Sequence, residues 1–214
     1  MGALIKGWRN AWGQGEFPFL YVQKMSGGGT AWDYENPVTR MADPFVEIDP
    51  NRQIKRSEGR GAYRAHHVRI KDHPNTAIVT ASDLGSGVHP SNKSGYGRRA
   101  CDVALGFCYG QDIAIYGPIY KSHKLEGDQI RISFDHVGKG LARKHGSRLQ
   151  GFEIAGDDGV WHWADATIDG DTVVCSSADV SAPKNVRYAW DGTHPWANLF
   201  NAEGMPALIF TTVK

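Results

Sequence analysis

The chain opens with a pattern of apolar positions that is typical of a helix. The apolar residues of this stretch recur at helical spacing on one face: Leu4, Ile5, Trp8 and Trp12. Gly13 follows them and is a common residue at a helix end. Residues 17–23 are almost continuously apolar, which is typical of a strand buried on both faces of a parallel sheet. The pattern predicts a helix followed by such a strand.

Residues 26–58 show no usable periodicity of apolar positions. The stretch contains the three consecutive glycines Gly27, Gly28 and Gly29, together with prolines and charges of both signs. Long connections without regular structure are commonly lids, binding loops or disordered inserts. We expect a mobile flap here.

A second strand and helix follow this connection. Residues 77–80 form a short apolar run that leads to Asp83, and a turn over residues 84–90 comes next. The following apolar positions share one helical face: Tyr96, Ala100, Val103, Ala104 and Phe107. Gly110 marks the end of that helix. The order helix, strand, loop, strand, helix predicts an α/β arrangement.

The pattern changes after Gln111, where short alternating runs separated by Gly and Asp turns predict β-strands. Ile130, Ile132 and Phe134 alternate with polar residues. Residues 166–168 and 172–174 flank Asp169-Gly170-Asp171, a strong hairpin signal. The turn spacing is typical of a β-sandwich. We therefore place a domain boundary near residue 112, which separates residues 1–112 from residues 113–214.

The charge balance, the lengths of the apolar runs and the cysteine count of the chain limit the classes of protein to which it can belong. Lys and Arg number 24 and Asp and Glu number 23, so the formal net charge is +1, which argues against a nucleic-acid partner. No apolar run reaches the length of a membrane-spanning helix. Residues 1–15 lack the pattern of a signal peptide, and this leaves the cellular compartment open. The three cysteines, Cys101, Cys108 and Cys175, are expected to be buried free thiols.

Two residues beside the second strand could carry chemistry. Asp83 ends the strand segment, and His89 lies in the turn before the helix, at the edge where open α/β sheets bind ligands. A histidine there can act as a general base, with a carboxylate fixing its tautomer. From these residues alone, the ordinary interpretation of His89 is a turn residue before Pro90, since a His-Pro pair in a loop is more often that than a catalytic base. Arg98 and Arg99 could bind an acidic substrate or form a structural ion pair.

Four stretches in order carry a resemblance to a known family. They are residues 4–23, residues 83–99 with DLGSGVHP, residues 116–141 with YGPIY and FDHVGKGL, and residues 149–201 with LQGFEIAG, VRYAW and NLFN. Together they resemble the sialate O-acetylesterase family of SGNH-type hydrolases. The resemblance implies the C-terminal part of an α/β/α three-layer domain over residues 1–112 and an all-β sandwich domain over residues 113–214. It also implies a carbohydrate O-acetylesterase that needs neither a metal nor an organic cofactor.

The resemblance also assigns roles to site residues. In the family, a serine of a Gly-Gln-Ser-Asn segment attacks the acetyl carbonyl, and the histidine of an Ile-His-Pro segment accepts its proton. Val88-His89-Pro90 matches the second segment, so His89 is the implied base, and Asp83 is the implied orienting acid. Simple SGNH hydrolases often place the acid three residues before the histidine. Ser86 occupies that position here and cannot supply a negative charge.

The nucleophile segment is absent from this sequence. No Gly-Gln-Ser-Asn segment occurs in the 214 residues, so we expect a polypeptide upstream of Met1 to supply the serine. The chain alone is predicted to be inactive, because a base without a nucleophile can activate only water. The implied substrate is an O-acetylated sugar, with sialic acid favoured. The alternative is a non-catalytic carbohydrate-binding or accessory module, in which Trp161 and Trp163 either stack on a sugar or pack in the core.

Overall fold

Helices and one parallel strand pair dominate the first half of the chain. The computed structural model describes residues 1–23, 27–49 and 58–213. The helices are α1 (Gly2–Trp12), α2 (Glu58–Arg69) and α3 (Lys93–Tyr109), and a 3-10 turn at Ile70–Asp72 follows α2. Within these described ranges, no helix combines the length and apolarity needed to cross a membrane.

The two strands of the first half pair in parallel. They are β1 (Phe19–Val22) and β2 (Thr76–Val79), with Phe19 opposite Thr76 and Val22 opposite Val79. All four residues of β2 are buried, and α3 packs on both strands. Both predicted strands and the predicted final helix of this half are present. Burial on both faces, which was also predicted for the first strand, is not found, since only Tyr21 of β1 is buried and Val22 is 46% exposed.

Helix α1 is attached to the start of both strands by one buried arginine. The Arg9 guanidinium donates to the carbonyl of Phe17 at 2.8 and 3.2 Å and to the carbonyl of Asn75 at 2.9 Å. Gly13 ends the helix with φ 66°, a left-handed conformation in which glycine has no Cβ strain. The predicted helix is therefore present, with its end at the expected glycine.

The second half is built from antiparallel strands. They are β3 (Ile119–Glu126), β4 (Gln129–Asp135), β5 (Leu141–Arg143), β6 (Phe152–Ala155), β7 (Trp161–Trp163), β8 (Asp165–Asp169), β9 (Thr172–Ser176), β10 (Asn185–Tyr188), β11 (Leu199–Asn201) and β12 (Phe210–Thr211). Two four-stranded sheets have the orders β3-β4-β9-β8 and β12-β10-β6-β7, and β5 pairs with β11. The antiparallel pairing explains why the apolar positions alternate, since one face of each strand points to the core.

The hairpin predicted around Gly170 is confirmed. Strands β8 and β9 pair in antiparallel register with Asp169 opposite Thr172, and Gly170 has φ 57°. In the neighbouring strand β4, Ile130 and Ile132 are fully buried, as their alternation predicts.

Residues 27–49 form neither helix nor strand, as expected, but they are packed against the second half. The amide of Val46 donates to the carbonyl of Pro195 at 3.0 Å, and the amide of Ile48 donates to the side chain of Gln150 at 3.2 Å. Ile48 is buried. This packing corrects the expectation of a flap for residues 27–49, because the lack of periodicity reflects anchoring by backbone hydrogen bonds. Residues 26 and 50–57 of the expected flap lie outside the described residues.

Helix α2, which the sequence pattern did not predict, joins the two halves. Its Arg64 donates to the carbonyls of Ala189 at 3.0 Å and Asp191 at 2.7 Å, just after β10. One hydrophobic cluster contains side chains from both halves. The described residues thus form a mixed α/β structure with one parallel strand pair and several antiparallel sheets. The boundary near residue 112, the three-layer arrangement and the sandwich stay predictions.

Candidate active site

The candidate base, His89, lies beyond the carboxyl end of β2. The chain leaves this strand at Thr80 and passes through a turn that ends at Asn92, the residue before α3. The Asn92 side chain accepts a hydrogen bond from the amide of Gly95 at 3.0 Å and so caps the helix. His89 is exposed to solvent within this turn. An exposed imidazole at this edge of a sheet is accessible to a reacting group.

Asp83, the predicted orienting acid, is buried against α3. Its two carboxylate oxygens accept hydrogen bonds from Arg99 at 3.1 and 2.9 Å, and the aspartate is fully buried. Arg99 also donates to the carbonyl of Thr80 at 3.2 Å. The pair therefore fixes the start of the turn to the helix that follows it, and the structural ion pair considered for Arg99 is present.

A second carboxylate contacts the turn close to His89. Ser86 donates through Oγ to Oδ1 of Asp43 at 3.0 Å. Asp43 belongs to the packed segment 27–49, where its own amide donates to the carbonyl of Gly29 at 3.2 Å. The Asp43 carboxyl group thus contacts Ser86, which occupies the position three residues before His89.

The glycine run lies directly against the same turn. The amides of Gly27 and Gly29 donate to the carbonyls of Ala81 and Ser82, both at 2.9 Å. A Cβ on Gly27 would come within 2.0 Å of the carbonyl oxygen of Gly85, and Gly27 has φ 80°. Only glycine allows this backbone approach, so the run brings segment 27–49 against the turn that carries His89.

A buried Arg64 and His194 pair lies behind the glycine run. The amide of His194 donates to the carbonyl of Gly28 at 2.6 Å, and Arg64 Nη2 lies 3.1 Å from His194 Nε2. Burial, together with the Arg64 charge, holds the pKa of His194 well below its usual value. Since a guanidinium only donates, the neutral imidazole accepts at Nε2 and carries its proton on Nδ1.

Several buried polar atoms near the carboxyl ends of β1 and β2 have no hydrogen-bond partner within the described part of the chain. They are Gln23 Nε2, Arg64 Nε, Thr80 Oγ1, Ser82 Oγ and His194 Nδ1. A buried polar group without a partner costs about 1–3 kcal/mol. These atoms lie among the residues that surround the turn carrying His89 and the glycine run.

The structure places the two predicted site residues on the same connection without joining them. No hydrogen bond or ion pair of the described residues links Asp83 to His89. Asp83 is buried and paired with Arg99, whereas His89 is exposed to solvent. The role of Asp83 as orienting acid stays a prediction. Sequence reasoning missed Asp43 and His194, since neither lies near His89 in the chain.

Metal binding has no support in the described ranges. No three His, Cys, Asp or Glu side chains there come together as a set of metal ligands. The three cysteines are free thiols. Cys175 is buried as expected, but Cys101 and Cys108 are exposed, which corrects the expectation of burial for these two.

The fold and the sequence both resemble a carbohydrate acetylesterase. The crystal structure of XAC1771, a carbohydrate acetylesterase from Xanthomonas citri, matches with a TM-score of 0.79 and 28% identity. The match covers 99% of this chain and 44% of that chain, so this chain spans less than half the length of XAC1771. No protein-family model and no curated protein matches the chain. The similarity supports an esterase relationship for the whole of the described fold.

Proposed function

We propose that the chain is the part of a carbohydrate O-acetylesterase that carries the general base, His89. The observation that supports this most is the match to XAC1771 over nearly the entire chain, at 28% identity. The exposed position of His89 beyond the carboxyl end of β2 is compatible with this role, because open α/β sheets bind ligands at that edge. The nucleophilic serine comes from a polypeptide outside this sequence.

The proposed reaction proceeds through an acetyl-enzyme. The serine oxygen attacks the acetyl carbonyl carbon while His89 takes the hydroxyl proton. The ester bond then breaks, and His89 returns the proton to the departing sugar oxygen. A water molecule, deprotonated by His89, attacks the acetyl-enzyme, so acetate leaves and the serine recovers its proton. No step requires an oxidant or a metal.

Two carboxylates are candidates for orienting His89. Asp83 is the residue that the family resemblance implies, but both of its oxygens bind Arg99. Asp43 contacts Ser86, three residues before the base. We favour Asp43 as the carboxylate that stabilises the His89 imidazolium. We assign Asp83 a structural role, in which its pair with Arg99 holds the turn in place.

The finer proposal is that the sugar is an O-acetylated sialic acid. It rests on the four sequence stretches that resemble the sialate O-acetylesterase family. The test uses a chimera in which this chain replaces the matched part of XAC1771. We expect acetate release from O-acetylated sialic acid to exceed release from an O-acetylated neutral sugar. Equal rates on the two substrates would show a carbohydrate esterase without preference for sialic acid. Sugar binding without acetate release would favour the alternative, a non-catalytic carbohydrate-binding module.

A further inference from the structure

A cavity lies between the two halves of the chain, at the end of β2 opposite to His89. Its volume is about 310 Å³, and residues of α2, the 3-10 turn, β3 and β12 border it. Lys71 and Asp72 of its wall precede β2, whereas His89 follows that strand. We term it the α2–β3 cavity. Its volume is at the lower end of the range for small-molecule sites, which often lie where two parts of a fold meet.

The floor of the α2–β3 cavity is apolar. Buried side chains form it, each at most 8% exposed: Ala65, Val68, Ile119, Ile209 and Phe210. The half-buried Tyr120 ring also lines the cavity and stacks on the Phe210 ring, with centroids 4.7 Å apart. Such a floor favours a ligand with an apolar face, because contact removes both apolar surfaces from water.

Three cationic side chains and one carboxylate line the same cavity. Arg69 and Lys121 are exposed, and the Lys71 side chain is 23% exposed. Lys71 donates to Oδ1 of Asp72 at 2.6 Å, and Lys121 pairs with Asp135 at 2.9 Å. No ion pair of the described residues involves Arg69. The excess of positive charge on the lining favours an anionic ligand.

A β-bulge brings Lys121 to the cavity. The pairing of β3 with β4 shifts by one residue between Tyr120 and Ser122, so Lys121 is the extra residue of the bulge. In a regular strand, successive side chains point to opposite faces. Here the three consecutive residues 119–121 all border the cavity. Bulges are frequent next to functional sites because they redirect a side chain in this way.

We propose that the α2–β3 cavity binds an acidic sugar, a single pyranose ring that carries a carboxylate. The carboxylate lies between Arg69 and the two lysines, which donate hydrogen bonds and carry the opposite charge. The apolar face of the ring covers Ile209 and Phe210, and its hydroxyl groups bond to Asp72 and Thr211. An aromatic acid offers no hydroxyl groups to these two residues, and an inorganic anion leaves the apolar floor uncovered.

The inference does not rest on the proposed function, because His89 takes no part in it and the test measures binding alone. Glucuronate and N-acetylneuraminate are each titrated into the unchanged chain and compared with their methyl esters, which keep the ring and lose the charge. We expect at least one acid to bind, with its ester at least about tenfold weaker. The methyl resonances of Ile119 and Ile209 should shift, whereas that of Ile168 on β8, at the far edge of the sheet, should not.

Two double variants test the cationic side chains. Arg69→Gln with Lys121→Gln removes two charges from the cavity, and we expect the affinity for the acid to fall by at least about tenfold. Arg98→Gln with Lys124→Gln is the matched control, since it removes two charges from side chains that are 70% and 77% exposed and lie outside the cavity. The control should change the affinity by less than about twofold.

Three results would overturn the proposal. The first is that neither acid binds, or that each acid binds no more tightly than its ester; this comparison uses the unchanged chain and so holds even if a variant does not fold. The second is that inorganic phosphate binds as tightly as the acids, which would make the cavity a site for simple anions. The third is an equal loss of affinity in both double variants, which would assign the attraction to the overall charge of the protein.

Discussion

Asp83 and Arg99 form a two-pronged ion pair inside the protein, with oxygen to nitrogen distances of 3.1 and 2.9 Å. The pair joins the end of the β2 segment to α3, and the turn that carries His89 spans the interval between them. Each carboxylate oxygen of Asp83 accepts a hydrogen bond from a different nitrogen of Arg99. Such a bidentate pair fixes the relative orientation of the two side chains in addition to attracting them. The position of His89 therefore depends on the Asp83–Arg99 pair, which holds the start of its turn against α3.

The first prediction concerns the stability contributed by this pair. Arg99→Leu leaves the Asp83 carboxylate buried without its partner, so we expect the free energy of unfolding to fall by about 3–5 kcal/mol. Urea denaturation followed by circular dichroism measures this. Arg98→Leu is the control: Arg98 is 70% exposed and pairs with Asp102 on the helix surface, so the loss should stay below about 0.5 kcal/mol. Equal losses for both variants would contradict the assigned role.

The second prediction concerns the glycine that lies against the turn. Gly27→Ala introduces a Cβ where the Gly85 carbonyl already stands, at a backbone φ of 80°. We expect the free energy of unfolding to fall by more than about 1 kcal/mol. A Cβ added to Gly59 in α2 would meet nothing within 4 Å, so Gly59→Ala should be neutral or slightly stabilising. A neutral Gly27→Ala would show that segment 27–49 does not pack on the turn.

The third prediction is a pH dependence of stability that originates at His194. Burial lowers the pKa of His194 in the folded protein, so the unfolded chain binds its proton more readily. Stability is therefore complete above the unfolded pKa of about 6.5 and falls as the pH drops below it, by up to about 1.4 kcal/mol per pH unit. Urea midpoints measured between pH 7.5 and 5 should show this slope.

His194→Gln should flatten that slope, since glutamine does not titrate. Thr193→Ser changes the neighbouring exposed residue without changing a titratable group, and it should keep the slope. A slope that persists unchanged in His194→Gln would assign the effect to other groups, among them His136, whose pKa burial also lowers.

The sequence predicted the elements whose apolar positions repeat regularly. Strand β4, the β8–β9 hairpin and α3 follow alternation or helical spacing, and Gly13 and Gly110 end their helices as expected. Local patterning dictates such elements because each buries one continuous face.

Helix α2 and the inner parts of the site could not be predicted in this way. The buried positions of α2 are Gly61, Arg64, Ala65 and Val68. Their spacing is helical, but a glycine, an arginine and a small alanine among them make the apolar pattern too weak to predict a helix. Asp43 and His194 reach the site through contacts with distant parts of the chain, and a single sequence carries no signal for such pairs. His89 became a candidate through the family resemblance and its place after β2, and not through periodicity; its role as a base stays a prediction.

The fourth prediction distinguishes the two carboxylates near the base. In the chimera with XAC1771, we expect Asp43→Asn to lower kcat by about a hundredfold or more, with KM and the unfolding midpoint nearly unchanged. Asp83→Asn should instead lower the unfolding midpoint, because it breaks the buried pair with Arg99. A shift of the acidic limb of the pH–rate profile in Asp43→Asn alone would identify Asp43 as the group that acts on His89. The reverse outcome would restore Asp83 as the orienting acid.

The most direct measurement of the proposed function is acetate release from an O-acetylated sugar by the chimera, before and after His89→Ala. This chain alone should release no acetate above background, because it lacks the nucleophile segment. The chimera should be active, and His89→Ala should lower its kcat by about a thousandfold or more while the unfolding midpoint stays the same. An active chimera that keeps its full rate after His89→Ala would contradict the proposed site.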